Sequence, residues 1–148
     1  MIKLRFITEN NIGSRIIRYY SWSEFSHVDF VWPTDAYLGA RLDGGVRLRP
    51  YNYTKPAKQA FFGIELGKTK EREILGIAFA QIGKPYNWKG ITGFALNEDW
   101  QSGKSWFCSQ LVAHCFAAAG EPLLRVSHSD RVTPSDLTMS LRLTELHD

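Results

Sequence analysis

The sequence predicts one α+β domain in which an antiparallel β-sheet or partial barrel packs against helices. The 148 residues fit a single domain that can bury its own core without metals or disulfides. The first half of the chain alternates apolar and polar residues as strands do, whereas the second half carries apolar residues at helical spacing. No repeat or linker divides the chain, so we expect one domain over residues 1–148.

Five strands are predicted in the first half. Turn residues at 33–35 and 43–45 separate short apolar runs, which is typical of antiparallel hairpins. A short helix over Ser14 to Trp22 follows the first strand. The strands cover Ile2 to Thr8, His27 to Trp32, Tyr37 to Leu42, Val46 to Pro50 and Ala60 to Leu66. We expect the last four strands to form an antiparallel meander.

Three further helices are predicted in the second half. Lys68 to Ile82 and Ser105 to Ala119 carry apolar residues at helical spacing, and a glycine follows each segment as a stop signal. Thr133-Pro134-Ser135-Asp136 has the order of an N-cap, a first-turn proline and a capping carboxylate, which opens a short terminal helix. The long loop from Lys84 to Lys104 is expected to be functional, because such loops are uncommon in small domains.

Composition and charge exclude several classes of protein. Apolar residues make up 44% and charged residues 22% of the chain, the balance of an ordinary globular protein. The net charge of +3 comes from 18 basic and 15 acidic residues without long runs of one sign, so no nucleic-acid partner is expected. Arg47 and Arg49 share one side of a predicted strand, where they either meet an anionic substrate or stay solvated. We expect them to be solvated.

No segment approaches the roughly 20 apolar residues that cross a bilayer, so no integral membrane segment is expected. The first ten residues place Lys3, Arg5 and Glu9 among apolar positions and lack the apolar core of a secretory signal. We therefore expect a protein that is cytoplasmic as synthesised. Delivery in a phage particle or by another signal-independent route is the alternative, and the oligomeric state stays unknown.

The two cysteines differ in their predicted surroundings. Cys108 lies in the first turn of a predicted helix, where unpaired N–H groups and the helix dipole favour a thiolate. Cys115 lies among apolar neighbours and is expected in the core. Seven residues of helix separate the two by about 10 Å, beyond disulfide reach, so both are expected as free thiols. By position alone, Cys108 is either a nucleophile or a small buried apolar group.

His27 is the histidine best placed for chemistry. It begins an apolar strand on which His27 and Asp29 share one face, because alternate side chains point the same way. A carboxylate beside an imidazole fixes its tautomer and stabilises the imidazolium, as a cysteine nucleophile requires of its base. A strand-edge histidine with a solvated aspartate fits the pattern equally well. No catalytic role is expected for the other three histidines, His114, His128 and His147.

Metal and cofactor sites are not predicted. The sequence has no C-x-x-C or H-x-x-x-H pair that would bind a metal, and no glycine motif that would bind a phosphate. A thiol, an imidazole and scattered carboxylates remain, so we expect chemistry without a cofactor.

Two segments resemble the nucleophile region of the NlpC/P60 superfamily. Gly83-Lys84-Pro85-Tyr86-Asn87-Trp88 resembles its G-x-P-Y-x-W-like segment, and Trp106-Phe107-Cys108-Ser109-Gln110-Leu111-Val112 resembles its nucleophile helix with cysteine in a C-S-x-L-V context. In the common members the histidine follows the cysteine. Here Ser26-His27-Val28 precedes it, an order that resembles the circularly permuted branch of YiiX-like and lecithin:retinol acyltransferase-like proteins.

The resemblance implies a permuted papain-like fold over most of the chain, roughly residues 26–120, with the nucleophile at a helix N-terminus. It implies Cys108 as the nucleophile and His27 as the general base. It also implies Tyr86 as a residue that lines the site close to the thiol, and we expect Trp88 in the same segment to bind substrate.

The third member of the catalytic set departs from the family pattern. The permuted relatives place a polar residue on the strand after the histidine, where this chain has Gly39. Because glycine has no side chain for that role, we predict Asp29 in its place, with Asp43, a backbone carbonyl or a water as alternatives. The predicted catalytic residues are therefore Cys108, His27 and Asp29.

The expected activity is cysteine-dependent hydrolysis of an acyl substrate. The Cys108 thiolate attacks an amide or ester carbonyl, and His27 carries the proton while an acyl-enzyme forms and breaks down. The resemblance favours a peptide amide such as those of bacterial peptidoglycan, with the loop from Trp88 to Trp106 as a wall of the cleft. A lipid amide or ester hydrolase or acyltransferase is the second expectation. A non-catalytic binding or structural module of a phage or its tail is the third.

Overall fold

The computed structural model describes residues 1–11, 14–15, 18–19, 22–87, 104–125 and 132–147. These residues form six strands and three helices of five residues or more. In chain order they are β1 Ile2–Thr8, β2 His27–Trp32, β3 Ala36–Arg41, β4 Gly45–Pro50, β5 Lys58–Ile64, α1 Lys68–Phe79, α2 Cys108–Ala118, α3 Pro134–Thr138 and β6 Thr144–Leu146. The α+β class expected from the sequence is confirmed.

The six strands form one antiparallel sheet in the order β4-β3-β2-β1-β5-β6. The expected meander is wrong at its last member, since β5 pairs with β1 and not with β4. The apolar pattern explains this pairing, because it sets the core residues of β5 opposite those of β1. The pairs are Ile2↔Ile64, Leu4↔Phe62 and Phe6↔Ala60. Strand β6, which the sequence pattern did not predict, extends the sheet beyond β5.

Helix boundaries differ from the predicted ones by a few residues. Helix α1 ends at Phe79 because i→i−3 bonds, such as Ile82 N to Phe79 O at 3.1 Å, tighten the chain into a turn up to Gly83. The cap of α3 is as predicted, with the Thr133 hydroxyl accepting from Asp136 N at 3.1 Å. The helix predicted over residues 14–22 is described at five positions, of which 14, 15, 18 and 19 are helical.

One face of the sheet is apolar and packs against α2, which in turn packs against α1. The Phe30 and Phe116 rings stack across this interface with centroids 6.2 Å apart. The side chains that fill this core are fully or almost fully buried: Leu4, Phe6, Val28, Phe30, Leu38, Ala40, Val46, Ile64, Leu111, Val112, Cys115 and Phe116. No described helix combines the length and apolar character that crossing a bilayer requires.

The opposite face of the sheet is polar along its central strands. Arg5 of β1 lies opposite Asp29 of β2. The described ladder between β2 and β3 runs from Trp32↔Ala36 to Phe30↔Leu38, so His27 and Asp29 lie beyond its end. The fold thus places the predicted imidazole and carboxylate on β2 just beyond its paired residues with β3.

Candidate active site

Cys108 is the first residue of α2. Phe107 is the N-cap, and its backbone N–H donates to the Gln110 side chain at 2.9 Å. The helix begins three residues later than predicted because Trp106 is held in a bridge to Tyr86. The thiol is 1% exposed and lies at the positive end of the helix dipole, which favours a thiolate.

The two segments that carry the NlpC/P60 resemblance are neighbours. Trp106 N donates to Pro85 O and Asn87 N donates to Trp106 O, both at 3.0 Å. The Trp106 indole N–H also donates to Gln81 Oε1 at 3.0 Å. These bonds lock the residues directly before Cys108 against the Pro85-Tyr86-Asn87 segment.

The same segment is fastened to the sheet. Gly83 N donates to Val46 O and Val46 N donates to Lys84 O, both at 2.9 Å. Gly45 permits this approach, because a Cβ there would lie 2.3 Å from Lys84 O, and its φ of +69° also favours glycine. Tyr86 is thereby held beside the site, with its ring 5.6 Å from that of Phe107.

His27 contacts both predicted partners. Its Nε2 lies 2.7 Å from Asp29 Oδ1, and the Cys108 thiol lies close enough to the ring to influence the protonation of His27. His27 is 6% exposed and Asp29 1%. The structure therefore brings Cys108, His27 and Asp29 together in the order thiol, imidazole, carboxylate.

Burial and charge shift the protonation of this group. Burial lowers the pKa of His27, but the Asp29 charge, its hydrogen bond and the Cys108 thiol outweigh burial and raise the pKa to about 9. For Asp29, burial raises the pKa, but the His27 charge and the hydrogen bonds from His27 and Tyr53 outweigh it, so the pKa falls below its ordinary value. At neutral pH the pair is an imidazolium and a carboxylate.

Of the alternatives for the third residue, Asp29 and not Asp43 contacts the ring. Asp43 accepts from Arg41 Nε at 3.0 Å, and its side chain is 66% exposed. Arg41 in turn donates to both carboxylate oxygens of Glu9 at 3.1 Å. Asp43 therefore belongs to an ion-pair network at the rim of the site.

Tyr53 is a site residue that the sequence analysis missed. Its hydroxyl donates to Asp29 Oδ2 at 2.6 Å, so both oxygens of the carboxylate are bonded. Burial and the Asp29 charge raise the pKa of Tyr53 above its ordinary range. Tyr53 lies in the polar stretch before β5, where no periodic pattern marks it. The one signal was indirect. If Asp29 orients His27 through one carboxylate oxygen and is buried, its other oxygen needs a hydrogen-bond donor from elsewhere in the chain.

Arg49 is not solvated, contrary to expectation. It is 7% exposed and donates to Gly39 O and Gly45 O at 3.1 Å and to Asp43 O at 3.2 Å. These three backbone acceptors hold the side chain inward, and its guanidinium lies 5.9 Å from the centre of the Tyr53 ring. Arg47 is exposed as expected.

A cavity of about 320 Å³ opens beside the imidazole. His27 and Tyr86 form part of its wall. Its lining is Glu9, Asn11, Ser14, Ser26, His27, Arg41, Leu42, Asp43 and Tyr86. Trp88, predicted to bind substrate, lies outside the described residues, as does most of the loop between Trp88 and Trp106.

The remaining candidates have other surroundings. Cys115 is fully buried in the core, as expected, and burial raises the pKa of its thiol to about 12. His114 packs on Trp106 with ring centroids 4.6 Å apart, and burial followed by the Lys84 charge lowers its pKa. His147 is exposed, and His128 lies outside the described residues. Both cysteines are free thiols.

Within the described parts of the chain, no cluster of three or more His, Cys, Asp or Glu residues has the arrangement of a metal site.

The fold is similar to one that has been solved. The crystal structure of the metalloprotein yiiX from Escherichia coli O157:H7, DUF1105, matches with a TM-score of 0.76 over 98% of this chain and 94% of that chain. The sequences are 16% identical, so the likeness shows the fold alone. No family model matches the sequence, and no curated protein matches it. The YiiX-like fold expected from the sequence is therefore confirmed as an architecture.

Proposed function

We propose that this chain is a cysteine hydrolase of the circularly permuted NlpC/P60, papain-like type. One observation carries the proposal: a thiol at the first position of a helix lies beside a buried imidazole whose Nε2 contacts a buried carboxylate oxygen at 2.7 Å. A nucleophile, a base and an orienting group in that order are the components of thiol catalysis. The order of His27 before Cys108, together with the YiiX-like fold, supports the permuted branch.

The proposed reaction proceeds through an acyl-enzyme. The Cys108 sulfur, as the thiolate of the thiolate–imidazolium pair, attacks the substrate carbonyl carbon to form a tetrahedral oxyanion. The Cys108 backbone N–H, which has no intrahelical acceptor at the helix start, helps to hold that oxyanion. The His27 imidazolium then donates its proton to the leaving group as the scissile bond breaks. A water, deprotonated by the neutral His27, attacks the acyl-enzyme, and release of the acyl group restores the thiolate and the imidazolium.

The protonation state of His27 suits this role. With a pKa of about 9, the imidazole keeps the proton at neutral pH, so a thiolate–imidazolium pair is the resting form that we propose. The negative charge of Asp29, buried beside the ring, stabilises the imidazolium. Activity should therefore decline as pH rises through the pKa of His27, because the imidazolium that protonates the leaving group is lost.

The cavity favours a peptide over a lipid substrate. Seven of its nine described lining residues carry hydrogen-bonding or charged groups, and the other two are Leu42 and Tyr86. An acyl chain needs a continuous apolar wall, and the amides and charged ends of a peptide need hydrogen-bond partners. We therefore propose a peptide amide as the scissile bond, with bacterial cell-wall peptides as the first substrates to test.

The test compares the wild-type protein with Cys108→Ala and a matched control, Cys115→Ala, which removes the second buried thiol of the same helix. Each protein is incubated with purified peptidoglycan and, separately, with phospholipid vesicles, and released fragments are identified by mass spectrometry. We expect peptide fragments from the wild type and Cys115→Ala, and none from Cys108→Ala.

Other outcomes would redirect the proposal. Fatty-acid release that depends on Cys108 would replace the peptide by a lipid substrate. Fragment release that survives in Cys108→Ala would contradict the catalytic role of this thiol. Binding of peptidoglycan without any cleavage would indicate the non-catalytic module instead.

A further inference from the structure

Gly39 lies directly against the proposed catalytic group, and its backbone conformation does not require a glycine. A Cβ at this position would lie 1.9 Å from Asp29 Oδ1, 3.1 Å from Asp29 Cγ and 3.4 Å from His27 Nε2. The first distance is far below any van der Waals contact. The Asp29 carboxylate thus occupies the volume that any side chain on residue 39 would fill.

Backbone conformation gives no other reason for glycine here. The described glycines with positive φ are Gly44, Gly45, Gly83 and Gly120, and Gly39 is not among them. Glycine inside a strand is unfavourable because it packs no side chain and gains entropy in the unfolded chain. Space is therefore the property of Gly39 that the site uses.

We propose that Gly39 is a positioning residue whose missing side chain lets an acid on β2 orient the catalytic imidazole in place of a polar residue on β3. This inference rests on the proposed function, because it assigns the orienting group of that same site. Glycine at residue 39 of β3 leaves the space that the Asp29 carboxylate of β2 needs.

Two further residues support the Asp29 carboxylate. The Tyr53 hydroxyl donates to Asp29 Oδ2 at 2.6 Å, which fixes the carboxylate plane while Oδ1 contacts the ring. Arg49 donates to Gly39 O at 3.1 Å and so holds the β3 backbone against the carboxylate.

The test uses four variants and reads the pKa of the His27 ring by NMR titration. Gly39→Ala places a methyl group on the carboxylate, so we expect the pKa to fall from about 9 to 6.5 or below. Asp29→Gly removes the carboxylate and should lower it equally. The exchange variant, Asp29→Gly with Gly39→Asp, places a carboxylate on β3 beside the same nitrogen and should return the pKa toward 9. Gly76→Ala is the matched control, because nothing lies within 4 Å of its added methyl group.

The outcomes separate cleanly. Recovery in the exchange variant, with loss in both single variants, supports the inference, because a merely structural defect would not be reversed by adding a second change. A pKa that stays near 9 in Gly39→Ala overturns it. If Gly39→Ala does not fold, the exchange variant decides alone. An exchange variant that also fails to fold, or folds with a low pKa, overturns the inference, because residue 39 would then reject a side chain whether or not Asp29 is present.

The readout also separates this inference from the proposed function. The His27 pKa reports the carboxylate contact without any substrate. If the titrations behave as expected but no substrate is cleaved, Gly39 still positions the acid and the hydrolase proposal fails. If cleavage is found but Gly39→Ala changes neither the pKa nor the rate, the hydrolase proposal stands and this inference fails.

Discussion

His27 and Asp29 form a buried pair whose contribution to stability depends on pH. The folded pKa of His27 lies above its ordinary value of 6.5, so its contribution is fully present below pH 6.5 and is lost as pH rises through about 9. The folded pKa of Asp29 lies below 3.8, so its contribution is present above pH 3.8 and is lost as pH falls through the folded value. The pair therefore stabilises the fold most strongly between about pH 4 and pH 6.5.

We expect the free energy of unfolding to decrease by up to about 3 kcal/mol between pH 6.5 and 9.5, since the rise of the His27 pKa from 6.5 to about 9 corresponds to that amount. The measurement is urea denaturation at several pH values for the wild type and His27→Gln, with the exposed His147→Gln as the control. The His27 variant should lose this slope and the His147 variant should keep it. An identical slope in the wild type and His27→Gln would contradict the proposed ion pair.

The site was partly predictable from local sequence. Cys108 could be singled out by its place at a helix start, and His27 with Asp29 by the two-residue period of a strand. The contact between Cys108 and His27 was expected from the resemblance alone, because no local pattern relates residues so far apart in the chain. Tyr53 was missed for the same reason: its partner Asp29 lies on another element, and the segment around it has no periodicity.

The buried side chain of Arg49 connects the turn between β3 and β4 to both strands. It donates to three backbone oxygens at 3.1 to 3.2 Å, which are Gly39 O within β3, Asp43 O in the turn and Gly45 O at the first residue of β4. The planar fork of a guanidinium can reach three carbonyls at once, whereas an ammonium on a flexible stem cannot.

We expect Arg49→Lys to lower the free energy of unfolding by about 1–3 kcal/mol, because buried carbonyls lose charged donors. Arg47→Lys is the matched control, since the same substitution at an exposed residue of the same strand should change stability by less than about 0.5 kcal/mol. Chemical denaturation of both variants checks this expectation. Equal stability of the two variants would show that the Arg49 contacts do not contribute to the free energy of unfolding.

The elements were more predictable than their pairing. The alternation of apolar and polar residues predicted the strand segments, and capping residues predicted α3. The structure contains each of these elements. The pairing of β5 with β1 depends on which apolar faces meet in the core, which no local pattern records. Strand β6 has only three residues, and it forms because it can pair with the edge of β5.

The whole molecule brings a helix from its second half to a strand from its first. The sheet supplies His27 and Asp29 just beyond the paired residues of β2 and β3, and α2 supplies Cys108 from its N-terminus. Hydrogen bonds between Trp106 and the Pro85-Tyr86-Asn87 segment fix the approach of that helix. The α+β class and the YiiX-like architecture could both be predicted from the sequence. The placement of Cys108 beside His27 could be seen only in the folded chain.

The central claim is that His27 activates Cys108, and the comparison of the two buried thiols tests it most directly. With a pKa of about 12, only about one Cys115 thiol in 10⁵ is ionised at pH 7. Iodoacetamide labelling at pH 7, mapped by mass spectrometry with a urea-unfolded control, measures both rates in one sample. We predict that Cys108 is alkylated at least about 100-fold faster than Cys115 in the native protein and that His27→Ala abolishes this difference. Equal, slow labelling of both thiols in the native protein would contradict the claim.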